Sequence, residues 1–410
     1  MTTILTLSAG SDRNIVACEV ASQRMIEWTV AAAKLPERID RAPLNIALIL
    51  DRSGSMQGEK LRYVKQAAKY VLEMLDERDR VALVAYDDEI QVIAPSTPMT
   101  AGARSAIVQR LEGLQPGGWT NLSEGWFRGC QEVANHIVAA SVNRALLLTD
   151  GLANRGITDL EGLTHHAREL RRRGITTSTF GVGLDFNEHL LEGMAAQGGG
   201  SFCFIERPEQ IPDMFKRELG DLLAVVAREA FLSIGLPSGV GIEPLGDLPH
   251  ERVGERLRIF LGDLYGGEQR TLYTRALLPP DAPGTSVAIR GELGFADRDG
   301  LTQTVVAELA FSYAREVEVR RIPVAEDLLA RASAVELATA AAKALRLERS
   351  GDRVQAQAVM NQAIAASAPY APAAAAQYNE LAAEMEQGLS EEQRKRSHFE
   401  AYQKRQSRKS

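Results

Sequence analysis

The sequence predicts an α/β protein in which a doubly wound, mostly parallel sheet is inserted in an antiparallel β domain, with an α-helical segment after them. Residues 43–226 alternate continuous apolar runs with amphipathic helical patterns, which is typical of strands buried on both faces and their crossover helices. Residues 227–322 contain runs in which apolar and polar side chains alternate, as in antiparallel strands. Residues 323–389 are rich in alanine and have helical spacing, which predicts a helical hairpin or bundle.

The central region begins with the apolar run Pro43–Leu50, which predicts a buried strand. Apolar side chains then recur at helical spacing from Leu61 to Leu75. Three arginines at 171–173 precede Gly174 and indicate a helix end, because cations are favourable beside the last carbonyl groups of a helix. The same patterns predict further strands at 80–86, 144–149, 175–182 and 201–205, and helices at 121–138, 160–173, 188–196 and 211–226.

The flanking regions complete the predicted architecture. Residues 1–42 carry short strand patterns at 15–20 and 25–30, so we expect them to join the β domain and to leave the α/β region inserted between its two halves. Residues 390–410 are rich in Lys and Arg and predict a solvated basic tail. Within the β domain and the helical segment, strands are predicted at 256–261, 270–277, 287–295 and 301–313, and helices at 328–347, at 354–366 and after Pro372.

The composition excludes several classes of protein. With 45% hydrophobic and 25% charged residues, the 410-residue chain is an ordinary globular protein. A net charge of -7 argues against a nucleic-acid-binding surface over the whole protein. The three cysteines are too few and too scattered for a disulfide framework, which favours a reducing compartment. Neither a signal-peptide pattern nor a run of 18 apolar residues is present, so we expect a cytoplasmic protein without a membrane span.

Oxygen-bearing side chains collect where the predicted parallel strands end. Asp51, Ser53 and Ser55 alternate along the loop after the first of these strands, and alternate positions of an extended segment can converge on one point. Asp150 follows another strand, and a glycine-rich loop that opens a helix presents Thr120. Ligands bind at the carboxyl ends of strands in such a sheet. The set contains only hard oxygen donors, which suits Mg²⁺ or Mn²⁺ and fits Ca²⁺ less well.

These residues resemble the metal-ion-dependent adhesion site of the von Willebrand factor A family. The resemblance covers about residues 43–224 and rests on Asp51-x-Ser53-x-Ser55, Thr120 and Asp150, in order and in matching contexts. It implies a Rossmann-like fold, a Mg²⁺ or Mn²⁺ ion held through these positions, and a Glu or Asp of a protein partner that completes its coordination. More closely, the chain resembles bacterial members whose A domain sits within a β domain related to that of the inter-α-trypsin inhibitor heavy chains, through segments 51–56, 117–122 and 179–183.

The resemblance implies a metal-dependent protein–protein interaction module. Because no signal-peptide pattern is present and no histidine lies in the motif loops, we expect a cytoplasmic scaffold or regulator and not an enzyme. Its family-level partners are an ATPase of the AAA+ class or a kinase–phosphatase system. We expect Met56, Trp119, Asn121 and Asp185 on the rim that contacts the partner. The acidic run 87–89 predicts a solvated hairpin turn.

Two other functions stay open from the sequence. A Mg²⁺-dependent hydrolase or phosphotransferase would need a general base placed against the metal, and no histidine lies near the motif in sequence. An RNA-associated assembly factor would use the basic tail, but no motif of aromatic and basic residues for base stacking accompanies it. Asp51 or Asp150 alone is also explained as a helix cap, whereas the five residues together favour a metal site.

Overall fold

A computed structural model describes residues 4–34 and 41–409 of the chain. Residues 1–3 and 35–40 of the predicted N-terminal segment, and residue 410 of the predicted tail, lie outside the described residues. The N-terminal segment contains three strands, which are β1 (Leu5–Ser11), β2 (Ile15–Ala17) and β3 (Ser22–Ala32).

The central α/β region follows, with strands and helices in alternation. Its elements are β4 (Leu44–Asp51), α1 (Glu59–Met74), β5 (Arg80–Tyr86), β6 (Ile90–Pro98), α2 (Ala101–Glu112), α3 (Leu122–Ala134), β7 (Val142–Thr149), α4 (Leu160–Arg172), β8 (Thr176–Val182), α5 (Glu188–Gly198), β9 (Gly199–Ile205) and α6 (Ile211–Leu223).

The remainder of the chain first forms strands and then helices. The strands are β10 (Val225–Gly235), β11 (Gly241–Pro244), β12 (His250–Val253), β13 (Arg256–Tyr265), β14 (Gln269–Leu278), β15 (Ser286–Ala296) and β16 (Thr302–Ala314). The last elements are α7 (Glu316–Arg321), α8 (Glu326–Arg349), α9 (Arg353–Ser367), α10 (Pro372–Gln387), α11 (Glu391–Gln406) and β17 (Arg408–Lys409). Among the helices of the described ranges, none is both long enough and apolar enough for a membrane span.

The central sheet has the strand order β6-β5-β4-β7-β8-β9. Its strands pair in parallel except at the edge, where β6 returns antiparallel to β5. Leu48 of β4 packs in one apolar cluster with α1 and α6, and Ile49 packs in another with α3, α4 and α5. Helices therefore cover both faces, which is why β4 and β7 are buried along their whole length. The predicted α/β fold class is confirmed.

The chain leaves β4 toward β5 on one side of the sheet and later enters β7 on the other side. This reversal makes a crevice at the carboxyl ends of β4 and β7, where ligands bind in open α/β sheets. Asp51 is the last residue of β4, and Asp150 follows the last residue of β7. The topology therefore brings together two carboxylates that are distant in sequence.

Two further sheets pack on each other as a β sandwich. One has the order β1-β3-β14-β11, with β17 also paired to β14, and the other has the order β12-β13-β10-β15-β16-β2. Both sheets contribute to one apolar core, which includes Trp28 and Leu272 from the first and Leu232 and Leu293 from the second. β3 pairs with β14 and β2 pairs with β16, so strands from before and after the α/β region share the same sheets. The α/β region is therefore inserted between two parts of the sandwich.

The prediction of a solvated basic tail over residues 390–410 is wrong. Most of this segment is helix α11, which packs against α8 and β9 and buries Lys395, His398 and Tyr402. Lys395 pairs with Glu188 at 2.8 Å, and His398 Nε2 lies 2.5 Å from Glu192 Oε2. Composition alone could not reveal this pairing, because Glu188 lies 207 residues before Lys395.

The predicted helix over 211–226 is shorter in the structure. It ends at Leu223, and the β-branched Val225 and Val226 begin strand β10. Val225 pairs with Tyr265 of β13, so a partner strand that is distant in sequence decides where the helix ends. At its C-terminal end, the α/β region is thus connected to the β sandwich by a single residue, Ala224.

Arg144 of β7 connects the α/β region to the β sandwich. Its guanidinium is fully buried and donates from Nη2 to Asp263 Oδ2 of β13 at 2.6 Å. Nη1 donates to Ser178 Oγ at 2.8 Å and lies 3.5 Å from Glu218 Oε1 of α6. A buried cation of this kind is stable only while its carboxylate partners are present.

We expect Arg144→Met to lower the free energy of unfolding by about 3–5 kcal/mol, because it leaves two carboxylates buried without their cation. Urea denaturation followed by circular dichroism measures this loss. The control is Arg320→Met, which removes an exposed pair with Glu316 and should cost less than about 0.5 kcal/mol. Similar losses in the two variants would contradict the role given to Arg144.

Candidate metal-binding site

Asp51 organises the first loop of the site. Its carboxylate is fully buried, with Oδ1 accepting a hydrogen bond from the Ser53 backbone N–H at 2.8 Å and Oδ2 accepting one from Thr149 Oγ1 at 2.6 Å. Burial raises the pKa of Asp51 to about 6, although the hydrogen bonds from Ser53 and Thr149 act in the opposite direction. The side chain therefore connects the ends of β4 and β7 and keeps a carboxylate at the crevice.

Ser53, Ser55 and Asp150 form a chain of oxygen atoms across the crevice. The two serine Oγ atoms lie 3.1 Å apart, and Ser55 Oγ donates to Asp150 Oδ1 at 2.6 Å. Asp150 is fully buried, whereas Ser55 is exposed. The oxygens thus extend from the buried strand ends to the surface of the protein.

Thr120 reaches the same place from the loop before α3. A β carbon added at Gly151 would lie 3.6 Å from Thr120 Oγ1 and 3.8 Å from Ser55 Oγ, so both hydroxyls face the turn that follows Asp150. The Thr120 backbone N–H donates to Asn154 Oδ1 at 3.0 Å, which fixes the loop against the segment after β7. The structure therefore brings all five sequence-predicted metal ligands to one crevice.

Backbone hydrogen bonds hold the glycine-rich loop close to the first loop. Gly117 N–H donates to the Arg52 carbonyl oxygen at 2.7 Å, and Gly54 N–H donates to the Gly118 carbonyl oxygen at 3.0 Å. A β carbon at Gly117 would lie 1.5 Å from Asp87 Oδ2, so only glycine allows this approach. The positions of the hydroxyls are therefore set by backbone contacts.

The prediction that residues 87–89 form a solvated turn is wrong for the first of them. The turn does join β5 to β6, but Asp87 is buried and accepts hydrogen bonds from Gly118 N–H at 3.1 Å and Arg52 Nη2 at 3.1 Å. Asp88 and Glu89 are exposed. A run of three acidic residues does not show which of them is buried, and here Asp87 contacts both the glycine-rich loop and the loop after β4.

Lys60 belongs to the site and was not found from the sequence. Its Nζ donates to Asp150 Oδ2 at 2.5 Å, and a quarter of its side chain is exposed. Lys60 is the second residue of α1, where a cation is unfavourable beside the positive end of the helix dipole. That unfavourable position was the sequence signal that could have identified it.

The residues present suit a hard divalent cation. The donors are carboxylate and hydroxyl oxygens, which Mg²⁺ and Mn²⁺ prefer. Within the described ranges, no group of three or more His, Cys, Asp or Glu side chains could hold a metal ion. A cation in this crevice therefore depends on the hydroxyls of Ser53, Ser55 and Thr120 as well as on the two carboxylates.

Two of the four predicted rim residues are not on the surface. Met56 is fully buried in the cluster formed by α1, α6 and the sheet, and Asn121 is buried and caps α3 by accepting from Glu124 N–H. Trp119 is 63% exposed and Asp185 is also exposed. The prediction is therefore wrong for Met56 and Asn121, since Met56 packs into an apolar cluster and the Asn121 side chain turns back onto the first turn of α3.

Helix α11 holds the rim loop that contains Asp185. Lys395 Nζ donates to the Phe186 carbonyl oxygen at 2.5 Å, lies 3.9 Å from the centre of the Phe186 ring and pairs with Glu188 at 2.8 Å. Burial opposes the charge of Glu188, yet the pairing with Lys395 and the hydrogen bond from Arg349 of α8 lower its pKa to about 2. The C-terminal helices therefore position one loop of the candidate site.

We expect Lys395→Met to loosen this loop, because the Phe186 carbonyl and the Glu188 carboxylate lose a buried donor. Amide hydrogen exchange over residues 183–190 should accelerate about tenfold or more. Lys404→Met is the matched control, since Lys404 lies on the same helix but contacts Gln377 and Tyr378. Unchanged exchange in Lys395→Met would contradict the positioning role.

Comparison with known proteins identifies a family for the α/β region. Residues 45–217 match the family model of the von Willebrand factor type A domain. The uncharacterized protein sll0103 of Synechocystis sp. is 30% identical over 330 residues, which are 76% of this chain and 77% of that protein.

A second relative and a solved structure extend the comparison. Human inter-alpha-trypsin inhibitor heavy chain H4 is 26% identical over 204 residues, which are 47% of this chain and 22% of that protein. A von Willebrand factor type A structure from Catenulispora acidiphila superposes with a TM-score of 0.72 at 17% identity and covers 88% of this chain and 86% of that one. The chain belongs to the von Willebrand factor A family.

Proposed function

We propose that this protein is a metal-dependent protein-interaction module whose site binds Mg²⁺ or Mn²⁺ together with an acidic side chain of a protein partner. The hydroxyls of Ser53, Ser55 and Thr120 and the carboxylates of Asp51 and Asp150 would hold the ion. When bound, the ion supplies a positive centre that attracts an external carboxylate.

The charge balance around Lys60 carries this proposal. The crevice contains two carboxylates, those of Asp51 and Asp150, and the ammonium of Lys60, which together give one net negative charge. A divalent cation changes this to one net positive charge, which a single external carboxylate neutralises. Charges at a partly buried site interact more strongly than in water, so this imbalance favours an anionic ligand. Without Lys60, the two aspartates alone would already balance the ion.

A binding function fits the site better than hydrolysis or phosphoryl transfer. An enzyme would need a general base free to take a proton near the metal. The two oxygens of Asp51 and the two of Asp150 each accept a hydrogen bond within the site. The histidine that follows the rim loop, His189, is also in contact with another side chain, because its ring packs against that of His398 of α11 with ring centres 4.6 Å apart.

The contacts of α11 also weaken the RNA-associated alternative. That alternative depends on basic side chains being free on the C-terminal segment. In the structure, four of its basic residues form ion pairs with the rest of the protein: Arg394 with Glu348, Lys395 with Glu188, Arg396 with Glu206 and Arg405 with Glu192. These ion pairs leave fewer basic side chains for RNA.

We also propose that the protein is a cytoplasmic scaffold or regulator, with an AAA+ ATPase or a kinase–phosphatase system as the family-level partners.

Titration calorimetry with Mg²⁺ and Mn²⁺ tests the metal site. We expect saturable binding by the parent protein, weakened about tenfold or more in Ser53→Ala and Thr120→Ala, and the largest loss in Asp51→Ala, which also removes a charge. Ser105→Ala is the control, because Ser105 is exposed on α2. Equal metal binding by Asp51→Ala and the parent would contradict the assignment, as would unfolding of these variants without metal while the parent stays folded.

Lys60→Met tests the charge balance, because it should raise the affinity for the metal and lower the metal-dependent affinity for a carboxylate. Removal of the ammonium frees an oxygen of Asp150 and ends its repulsion of the ion, so Mn²⁺ alone should bind about tenfold tighter. Metal-dependent binding of acetate should weaken, because the loaded site no longer carries a net positive charge. Lys65→Met, on the same helix with its Nζ on the Glu112 carbonyl oxygen, is the matched control. If both affinities moved in the same direction, the charge argument would fail.

A further inference from the structure

Large apolar side chains surround the candidate metal site on three different loops. Trp119, Leu152 and Leu184 are 63%, 55% and 39% exposed, and we call this set the apolar rim. Trp119 directly precedes Thr120, and Leu152 lies two residues after Asp150. Leu184 follows Gly183, where an added β carbon would lie 3.9 Å from Lys60 Nζ. Trp119 and Leu152 are thus within two residues of a proposed metal ligand, and Leu184 directly follows a residue that lies beside Lys60.

The loops that carry the apolar rim are fixed before any partner binds. Thr120 N–H donates to Asn154 Oδ1 at 3.0 Å and Asn154 N–H donates to the Thr120 carbonyl oxygen at 3.2 Å, so the loops of Trp119 and Leu152 are joined. The loop of Leu184 is held through Phe186 by Lys395. An exposed tryptophan on an ordered loop is a feature of interaction hot spots, because little conformational entropy is lost on binding.

We propose that the apolar rim binds large apolar side chains that flank the acidic residue in an exposed segment of the partner protein. This inference rests on the proposed function, since the acidic residue is the one that reaches the metal. The net positive charge of the loaded site accommodates one carboxylate. Its flanking residues then lie over Trp119, Leu152 and Leu184 and remove apolar surface from water.

The charges near the rim argue against a partner segment with many acidic residues. Three acidic residues are exposed on the surrounding loops, Asp88, Glu89 and Asp185. The basic residue Arg155 is exposed on the loop after β7. An added β carbon at Gly118 would lie 2.2 Å from Asp88 Oδ1, which places this carboxylate beside the Trp119 loop. The protein also carries a net charge of -7. A single acidic residue between apolar neighbours meets less repulsion than an acidic cluster does.

A displayed peptide library tests this inference on the full chain. The peptides carry one fixed Glu between randomised positions, with matched libraries that carry Gln in its place, and selection takes place in Mn²⁺ with parallel runs in chelator. We expect the Glu library to enrich Trp, Phe, Leu, Ile or Met beside the fixed residue and to enrich no further acidic residues. Synthetic peptides with apolar flanks should bind about tenfold or more tighter than the same peptides with serine flanks.

The double variant Trp119→Ser, Leu152→Ser assigns the preference to the rim. We expect it to bind apolar-flanked and serine-flanked peptides within about threefold of each other, with its metal affinity unchanged. Val354→Ser is the control, because Val354 is 83% exposed on α9 and lies outside the rim loops. That variant should keep the preference of the parent protein.

The outcomes separate this inference from the proposed function. Metal-dependent selection of Glu without apolar flanks, or an apolar preference that survives in the double variant, would overturn the apolar rim and leave the metal site intact. Selection that ignores chelator, or that treats Glu and Gln alike, would refute the proposed function itself. Binding of the parent to neutral phosphatidylcholine vesicles, or self-association lost in the double variant, would assign the rim to another occupant and overturn the inference.

Discussion

Two carboxylates, Asp51 and Asp150, are fully buried at the ends of neighbouring strands, and the organisation of the site depends on how their charges are balanced. Asp51 is held by Thr149 and by the backbone of its own loop, and Asp150 is held by Ser55 and Lys60. Burial of unpaired charge is costly, and each carboxylate accepts hydrogen bonds from two parts of the chain. The contacts that stabilise the acids therefore join the ends of β4 and β7 and bring Ser55 and Lys60 to Asp150.

The rest of the molecule supports this crevice from outside the α/β region. On one side, Lys395 of α11 and Arg349 of α8 hold Glu188 and the rim loop before it. At the opposite end of the sheet, Arg144 connects β7 to Asp263 of the β sandwich and to Glu218 of α6. The inserted α/β region is thus attached to both flanking parts by buried ion pairs, which are sensitive to loss of either partner. The C-terminal helices therefore contact the surroundings of the site through Phe186, in the loop at 183–187.

Local patterns predicted much of the fold. The strands β5 and β13 begin at the predicted residues, 80 and 256, because runs of apolar side chains mark buried strands regardless of their partners. The predicted helix over 211–226 was too long, since Val225 belongs to a strand, in which it pairs with Tyr265. Helix α11 was missed for the same reason: its charged residues look solvated until their partners in α5 and α8 are known.

The sequence by itself determined the fold class and the five oxygen-bearing residues, because strand ends and loop positions follow from local periodicity. It could not place Lys60 against Asp150, turn Asp87 inward beneath Gly118 or bury Met56, since each depends on contacts between loops that are distant along the chain. The tertiary structure also decided which hydrophobic residues stay exposed, and left Trp119, Leu152 and Leu184 around the site. Burial is a property of the packed whole, so only the folded chain distinguishes a core side chain from one on the rim.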